Sequence, residues 1–209
     1  MENFFKIRAE KQEHIINAAF AAFGRQGYKK ASVADIADAA GIAKGMITYY
    51  FGSKKNLYLH LCEIGQKILM EKIEQHFNQN ITDFFDKIRM GTEIKVAVIK
   101  ECPSLLQFFV SMLAERDEDV VEDIKEIVDK NTMLGSQILM INTDFFKFRE
   151  GIDPQIVGKF INWAGNGLMM DLQLLENADK FEEFAEEFYK LLDLMKIMFY
   201  KEGEAHVKS

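Results

Sequence analysis

The segment SVADIADAAGIAKGMITYYFGSKKNL, residues 32–57, has the spacing of a helix, a tight turn and a second helix. Ser32, with an aspartate three residues later, predicts an N-capped helix that starts at about Val33, because its hydroxyl accepts a hydrogen bond from a free backbone N–H. Gly41 stands where the chain must leave that helix in a left-handed conformation. Ile47 then predicts an aliphatic contact that fixes the second helix to the core. The segment is therefore predicted to form a helix-turn-helix.

The outward face of the second helix combines small, basic and hydroxylated residues. Ala43 and Gly45 are small enough to let the backbone approach DNA, and Lys44 suits a phosphate or a guanine edge. Thr48 and Tyr49 add hydroxyl groups on the same side. The alternative is an ordinary helical hairpin, but such a hairpin has no reason to place this outward face opposite an apolar one. We therefore expect these five residues to contact DNA.

Two lysines follow at the start of the next predicted helix. Ser53 is its expected N-cap, and Lys54 and Lys55 occupy the first turn, where a cation opposes the helix dipole. A phosphate at this helix end would be bound by the free N–H groups and the two ammonium groups together. Two solvated lysines are the alternative interpretation.

An apolar stripe at helical spacing precedes the helix-turn-helix. Its members are Ile15, Ala18, Ala19, Ala22 and Phe23. Gly24 and Gly27 are expected to end this helix, and Tyr28 to close the small core. The basic lead-in contains Lys6, Arg8 and Lys11, which either lie along a phosphate strand or form a solvated end.

The stretch FGRQGYKKASVADIADAAGIAKGMITYYFGSKKNLY resembles the N-terminal domain of the TetR/AcrR family of transcriptional regulators. It matches the F-x-x-x-G-Y turn, the DIA-x-x-AG helix, the KG turn into YYF and the SK-x-x-L helix start, and the match runs from about Ile15 to Tyr58. The resemblance implies DNA contacts, with Tyr49 and Lys54 on phosphates, at Ser32, Lys44, Gly45, Thr48, Tyr49 and Lys54. Thr48 departs from the aromatic residue of many members, which leaves the operator sequence open, and Asn56 replaces a frequent Glu.

Charge is distributed unevenly along the 209 residues, whose net charge is −7. Residues 1–60 contain nine Lys and Arg against five Asp and Glu, a balance of +4, which leaves 17 against 28, or −11, for residues 61–209. A basic end is attracted to the phosphate backbone while an acidic body is repelled by it. The asymmetry predicts one docking orientation and salt-dependent affinity for double-stranded DNA.

Composition indicates a folded helical protein. The chain is 48% hydrophobic and has two prolines, and no alternating β-branched run with hairpin signals occurs. No apolar stretch approaches the ~20 residues of a membrane span, and the charged N-terminus does not resemble a signal peptide. Cys62 and Cys102 have no metal or redox spacing, which is typical of a reducing cytoplasm. We expect a cytoplasmic protein with no membrane partner.

We predict an all-α fold of about nine helices. Residues 1–52 are expected to form a three-helix DNA-binding domain, and residues 53–209 an effector-binding and dimerisation domain. The helices predicted in the second domain run to about Phe77, then over 83–100, 103–115, 119–142 and 154–176, and from 181 onward. Thr82 is the expected cap of the helix over 83–100, and Asp153 the expected cap of the helix that starts at Pro154.

Aromatic and methionine side chains are abundant in the second domain. Such adaptable apolar walls suit bulky apolar ligands, and Asn166 supplies a polar anchor; ordinary core packing is the alternative. The candidate pocket residues are Phe85, Phe108, Phe109, Met112, Phe145, Trp163, Asn166 and Met170. Because the domain is acidic, a neutral or cationic effector is expected over an acidic one, unless local pocket charge reverses this.

The last helix has two apolar sides and therefore needs two neighbours. Its main stripe starts at Phe181, and Leu194 and Ile197 add a second side. We predict a four-helix homodimer interface from the last two helices of each subunit, and burial of both sides inside one monomer is the alternative. The candidate interface residues are Phe160, Ala164, Gly167, Phe184, Phe188, Leu191 and Met195.

No pattern of catalytic, metal-binding or cofactor-binding residues is found. The four histidines stand apart, and neither a phosphate loop nor a nucleophile elbow occurs. The predicted function is a ligand-responsive transcriptional regulator: a repressor released from a palindromic operator by a small, largely apolar effector. An effector- or protein-binding module of the same fold without DNA binding is the alternative.

Overall fold

The computed structural model describes residues 2–172 and 180–206, which form ten α-helices and one short 3-10 helix, Phe145–Lys147. The α-helices are α1 (Glu2–Phe5), α2 (Ala9–Lys30), α3 (Val33–Ala39), α4 (Lys44–Phe51), α5 (Lys54–His76), α6 (Phe84–Glu101), α7 (Pro103–Ala114), α8 (Val121–Met140), α9 (Pro154–Asp171) and α10 (Phe181–Phe199). Within these residues the only β-type pairing is an isolated bridge between Phe148 and Tyr200. The all-α prediction is confirmed.

The chain divides into two compact units. The first, here called the head unit, is Met1–Glu71 with Ile99–Asp129, and the second, the body unit, is Lys72–Val98 with Lys130–Ser209. Helices α5, α6 and α8 each contribute residues to both units. The domain boundary between residues 52 and 53 stays a prediction.

The core of the head unit forms around α2. Ile15, Ala19 and Phe23 are fully buried on one side of this helix, as the apolar stripe predicts. Gly24 does not end the helix, which corrects the sequence interpretation. A Cβ atom at Gly24 would lie 2.9 Å from the backbone nitrogen of Phe108, so this glycine allows α2 and α7 to approach closely. The helical conformation is interrupted only at Gly27, whose φ of 72° lies in the left-handed region.

The helix-turn-helix forms as predicted. The Ser32 hydroxyl accepts a hydrogen bond from the Ala34 backbone N–H at 3.1 Å, and α3 starts at Val33. Gly41 leaves the helix with φ of 65°. Ile47 of α4 is 1% exposed and anchors α4 to the core.

A buried polar cluster holds three parts of the body unit together. The carboxylate of Asp83 accepts from the ammonium groups of Lys196 at 3.1 Å and Lys147 at 3.2 Å. Asp83 also caps α6, because its Oδ1 accepts from the backbone N–H groups of Phe85 and Asp86. The prediction of Thr82 as this cap is wrong, since the Thr82 hydroxyl donates to Asp144 instead.

Helices α9 and α10 pack against each other in the body unit. Asp153 caps α9 by accepting from the Gln155 N–H at 2.8 Å, and Pro154 occupies its first turn, as predicted. Helix α9 ends at Asp171, and residues 173–176 of the predicted helix lie outside the described residues.

No single helix among the described residues is long and apolar enough to cross a membrane. Helices α6 and α7 reach the length and apolar composition of a membrane span only when they are taken together, as a bent pair.

Candidate nucleic-acid interface

Helix α4 separates an apolar face from a polar one. Ile47, Tyr50 and Phe51 are buried in the head unit, each at 3% exposure or less. The predicted DNA contacts Ala43, Lys44, Gly45, Thr48 and Tyr49 are all exposed. The fold therefore brings these five onto one accessible surface of the head unit.

Lys44 and Tyr49 are the two long side chains on this surface. The Tyr49 ring is 59% exposed, although one edge packs at 5.6 Å between centroids against buried Tyr50. This contact orients the ring while its hydroxyl stays accessible. Gly45 has open space beyond its Cα, so the backbone of α4 can approach a ligand there. Ser32, by contrast, is half-buried at the start of α3, where its oxygen already caps the helix.

Lys54 is engaged within the head unit. Its ammonium group donates to the carbonyl oxygens of Lys29 at 3.2 Å and Ala31 at 3.3 Å, and lies 4.5 Å from the centre of the Tyr28 ring. It therefore completes the hydrogen bonding of the chain that leaves α2, where a cation is favoured. The structure places Lys54 as a link between α2 and α5, and its phosphate contact stays a prediction.

Lys55 is paired with the segment that precedes and begins α8. Its ammonium group lies 2.8 Å from a carboxylate oxygen of Asp123, and both side chains are about one third exposed. Tyr28 joins the same segment: its N–H donates to Glu115 at 2.7 Å and its hydroxyl donates to Asp119. Burial and this carboxylate together raise the pKa of the Tyr28 hydroxyl, which stays protonated as a donor.

Sequence reasoning missed α1. Phe4 is 1% exposed, and its ring centre lies 4.8 Å from that of Phe51 and 5.9 Å from that of Tyr50, both on the inner face of α4. His60 of α5 completes this aromatic cluster at 6.2 Å from Phe4. The signal was the pair of aromatic residues in MENFFK, because a phenylalanine in a charged terminal segment favours docking onto a core.

A basic cleft lies beside the turn of the helix-turn-helix. It has a volume of about 290 Å³, and its lining residues are Arg8, Glu10, Lys11, His14, Ala40, Gly41 and Ile42. Two cations of the lead-in thus lie next to the turn that precedes α4. The phosphate path along the lead-in stays a prediction.

The predicted pocket residues are distributed over both units. Phe108 and Met112 are buried in the head unit, and Phe109 packs there so closely that a Cβ at Gly65 would meet its ring at 2.9 Å. Phe85 is buried in the body unit, where its ring contacts the rings of Phe84, Phe148 and Tyr200. Phe108, Phe109 and Met112 thus lie in the head unit and Phe85 in the body unit, and a pocket formed by them stays a prediction.

Three other predicted pocket residues lie on the outer side of α9. Trp163 and Met170 are 67% and 78% exposed, and Asn166 is exposed as well. At 100° per residue they lie opposite the buried Val157 and Ile161, so helix phase turns them away from the core. Phe145, in the 3-10 helix, is 40% exposed.

The predicted dimer residues separate into two groups. Phe184, Phe188 and Met195 are buried in the body unit, and the Phe188 ring packs against α9, where a Cβ at Gly165 would lie 3.1 Å from it. These three residues are therefore part of the core of one chain, which corrects their assignment to the interface.

The second side of the last two helices is exposed. Phe160 is 48% exposed and Gly167 has open space beyond it, whereas Ala164 and Leu191 are half-buried. We call the exposed apolar side chains the outer apolar face: Ile156, Phe160, Trp163 and Met170 of α9 with Leu194, Ile197 and Met198 of α10. The Phe160 ring lies 6.4 Å from that of Phe199, which brings the two helices alongside each other at this face.

Residues 15–61 match the family described as bacterial regulatory proteins, tetR family. The chain is also 25% identical over 165 residues to the probable acrEF/envCD operon repressor of Escherichia coli (strain K12), which covers 77% of this chain and 74% of that protein. These two matches support a TetR/AcrR-family regulator, and the family model itself covers residues 15–61. The family description and the name of this relative both denote regulatory proteins.

Solved TetR-type structures share the fold over nearly the whole chain. A TetR family regulator from Chloroflexus aurantiacus J-10-FL aligns with a TM-score of 0.72 at 21% identity, covering 96% of this chain and 98% of that one. The regulator FadR from Bacillus subtilis, solved in complex with stearoyl-CoA, aligns with a TM-score of 0.69 at 20% identity, covering 87% and 96%. The family match covers the helix-turn-helix and the first two turns of α5.

Proposed function

We propose that this protein is a TetR/AcrR-family regulator that binds a palindromic DNA operator as a homodimer and is released from it by a small, largely apolar effector. The observation that carries the proposal is the exposed face of α4, where Lys44, Gly45, Thr48 and Tyr49 stand opposite three buried anchors. Such a helix fits a major groove, with small residues for close approach and a cation for a phosphate or a guanine edge.

The basic lead-in supports a head that meets phosphates on both sides of the turn. Arg8 and Lys11 line the cleft beside Gly41, and Lys44 starts α4 three residues later. With the +4 balance of residues 1–60, this favours docking through the head unit. The E. coli relative is named as a repressor, which supports repression over activation.

DNA binding is tested by selecting bound fragments of the source genome at two salt concentrations. The wild-type protein should enrich a roughly palindromic site, and a Lys44→Ala/Tyr49→Phe variant should not. Lys159→Ala is the matched control, because this exposed lysine lies on α9 in the body unit. If the double variant enriches the same fragments as the wild type, α4 is not the reading helix and the non-DNA module is the better interpretation.

Self-association is proposed to use the outer apolar face. Seven large apolar side chains exposed together on two adjacent helices are unusual for a surface in water, and a two-fold copy of the same face would cover them. In light scattering after size exclusion, the wild type should have about twice the chain mass of 24.1 kDa. Trp163→Glu should shift it toward one chain, and Phe146→Glu, equally exposed outside this face, should not.

A further inference from the structure

Helix α6 has one side chain that contradicts its pattern of burial. Its outer face is marked by exposed Glu93 and Ala97. Its inner face is marked by buried residues, namely Phe84, Phe85, Lys87, Thr92, Ile94 and Val98. At 100° per residue, Lys95 lies in the middle of this inner face and roughly opposite Glu93 and Ala97. Its side chain is nevertheless exposed.

The side chain of Lys95 is exposed but also desolvated. Burial lowers the pKa of the Lys95 ammonium, and no charged group in the described part of the chain offsets that effect. Its position among buried residues of α6, together with this desolvation, indicates that the side chain faces a space between helices of the body unit rather than bulk solvent. Lys95 thus points into a gap in the body unit that its neighbours on α6 leave open.

Two glycines mark the same gap. A Cβ atom at Gly91, one turn before Lys95 on the inner face of α6, would meet nothing within 4 Å. A Cβ atom at Gly135 of α8 would also meet nothing within 4 Å, and Gly135 is exposed. This glycine follows Asn131 by about one helical turn. The Asn131 Oδ1 atom is buried and has no hydrogen-bond partner within the described residues. The described positions assigned to this gap therefore include one cationic and one polar group.

The register of α6 and α8 brings these groups to one level. The Lys87 ammonium donates to the carbonyl oxygens of Ile141 and Asn142 at the end of α8, so the two helices run in opposite directions from that point. Lys95 lies about 12 Å along α6 from Lys87, and Gly135 lies about 10 Å back along α8 from Asn142. Of the four positions, Lys95 and Gly135 thus lie at similar distances along their helices from this contact.

We propose that Lys95 anchors an enclosed effector site in the body unit and that the effector is an anionic amphiphile. A carboxylate or phosphate head group binds the Lys95 ammonium, the Asn131 amide binds a polar atom beside it, and an apolar tail lies along Ile88 and Gly91. This inference rests on the proposed function, because it names the ligand class of the same regulator. The local cation reverses the expectation from the acidic body that an acidic effector is disfavoured.

The site is expected to select anions because, without a ligand, its ammonium group has no counter-ion among the residues that the structure describes. A desolvated ammonium without a counter-ion is costly, and a bound anion removes that cost while a neutral ligand leaves it in place. Hydrogen bonds to charged groups are also stronger than neutral ones. A ligand with the same tail but a cationic head would place two like charges together.

Calorimetric titration of the free protein tests the proposal without DNA. The probes share one C12 tail and differ in the head group: dodecanoate, dodecyl phosphate, dodecanol and dodecyltrimethylammonium, each below its micellar concentration. We expect at least one anionic probe to bind roughly tenfold or more tightly than dodecanol, in line with a charge-assisted hydrogen bond. The cationic probe should bind weakest.

Lys95→Met should abolish the preference, and Lys95→Arg should keep it. Lys159→Met, an exposed lysine of α9, is the matched control and should behave as wild type. Because Lys95→Met removes a desolvated charge, its Tm should not fall, which separates lost recognition from lost folding. Dodecanol binding as tightly as both anions, an unchanged preference in Lys95→Met, or no binding of any probe would each overturn the proposal, whatever the DNA selection shows.

Discussion

The inner faces of α4 and α6 differ in how completely they are filled. On α4, Ile47, Tyr50 and Phe51 are buried against the rest of the head unit, and Phe4 closes the cluster from the N-terminus. On α6, buried residues line both edges of the inner face, but in its middle Gly91 has open space beyond its Cα and Lys95 is exposed. Both helices are amphipathic, but the inner face of α4 is closely packed, whereas that of α6 has unfilled positions.

The difference follows from what each surface is proposed to do. A reading helix must hold its outer side chains in a constant position, which requires a close-packed inner face. An effector site must contain an unfilled volume, and a ligand that binds there raises the free energy of unfolding of the body unit. The head unit is therefore expected to lose stability from small deletions, and the body unit to gain it from binding.

The largest effect is expected from Phe51→Ala in the head unit. Phe51 is 3% exposed and contacts three aromatic rings, so truncation leaves a cavity and should lower the free energy of unfolding by about 3–5 kcal/mol. Chemical denaturation measures it. Phe146→Ala is the matched control, because this side chain is 63% exposed and should change little. Equal losses in both variants would contradict the close packing of the inner face of α4.

Asp83→Asn tests the buried polar cluster of the body unit. Removing this buried carboxylate leaves the ammonium of Lys196, 3% exposed, without one of its two carboxylates, and we expect a loss of about 3 kcal/mol. Glu187→Gln breaks an exposed ion pair with Lys190 and should have no measurable effect. A neutral result for Asp83→Asn would show that this cluster does not hold the body unit together.

The same carboxylate predicts a pH dependence. Burial alone would raise the pKa of Asp83, but hydrogen bonds from the Asp86 N–H and the ammonium groups of Lys196 and Lys147 outweigh it, and the pKa is lowered. Its contribution is therefore complete above the unfolded value of about 3.9 and is lost as pH falls through the lower folded pKa. Unfolding free energies of wild type and Asp83→Asn should converge in acid. Parallel curves down to the lowest pH would contradict this.

A smaller effect is expected from Phe4→Ala, which detaches α1 from α4. We expect about 2 kcal/mol, less than for an enclosed phenylalanine, because a four-residue terminal helix can separate locally. Hydrogen exchange should increase mainly in α1 and α4, and operator affinity should fall. Phe5→Ala serves as the comparison, since Phe5 is 60% exposed. If both variants exchange alike, α1 does not support the reading helix.

The smallest effect is expected at Lys55. Its pair with Asp123 is solvent-accessible, so neither Lys55→Ala nor Asp123→Asn should change stability measurably. If Lys55 also binds a phosphate, Lys55→Ala should reduce the slope of log affinity against log salt by about one, and Asp123→Asn should not reduce it. An unchanged slope in Lys55→Ala would assign this lysine to the protein alone.

The head unit was predictable in detail because its signals are local. The Ser32 cap, the left-handed Gly41 and the inward Ile47 each act within one or two turns, and the structure has all three as predicted. Gly24 was misread because a glycine that ends a helix and one that admits a neighbouring helix look alike in sequence. Only the approach of α7 distinguishes them.

The body unit was predictable as a set of helices but not as a site. Trp163, Asn166 and Met170 were placed in a pocket because of residue type, whereas helix phase turns them outward. Phe184 and Phe188 were placed at a dimer interface, whereas they fill the core beside Gly165. The two apolar sides of α10 were recognised correctly, but which side faces its own chain depends on the position of α9.

The sequence by itself indicated the helical class, the helix-turn-helix and the outward residues of α4, because caps, turn glycines and periodicity act between neighbours along the chain. Only the tertiary structure decided which apolar faces are covered, that Lys54 and Lys55 have partners within the head unit, and that Lys95 is exposed on the inner face of α6. Those properties depend on distances between residues far apart in sequence. From sequence alone, a lysine on an amphipathic helix is assigned to the solvent-exposed face. Only the structure shows that the exposed face of α6 is the opposite one.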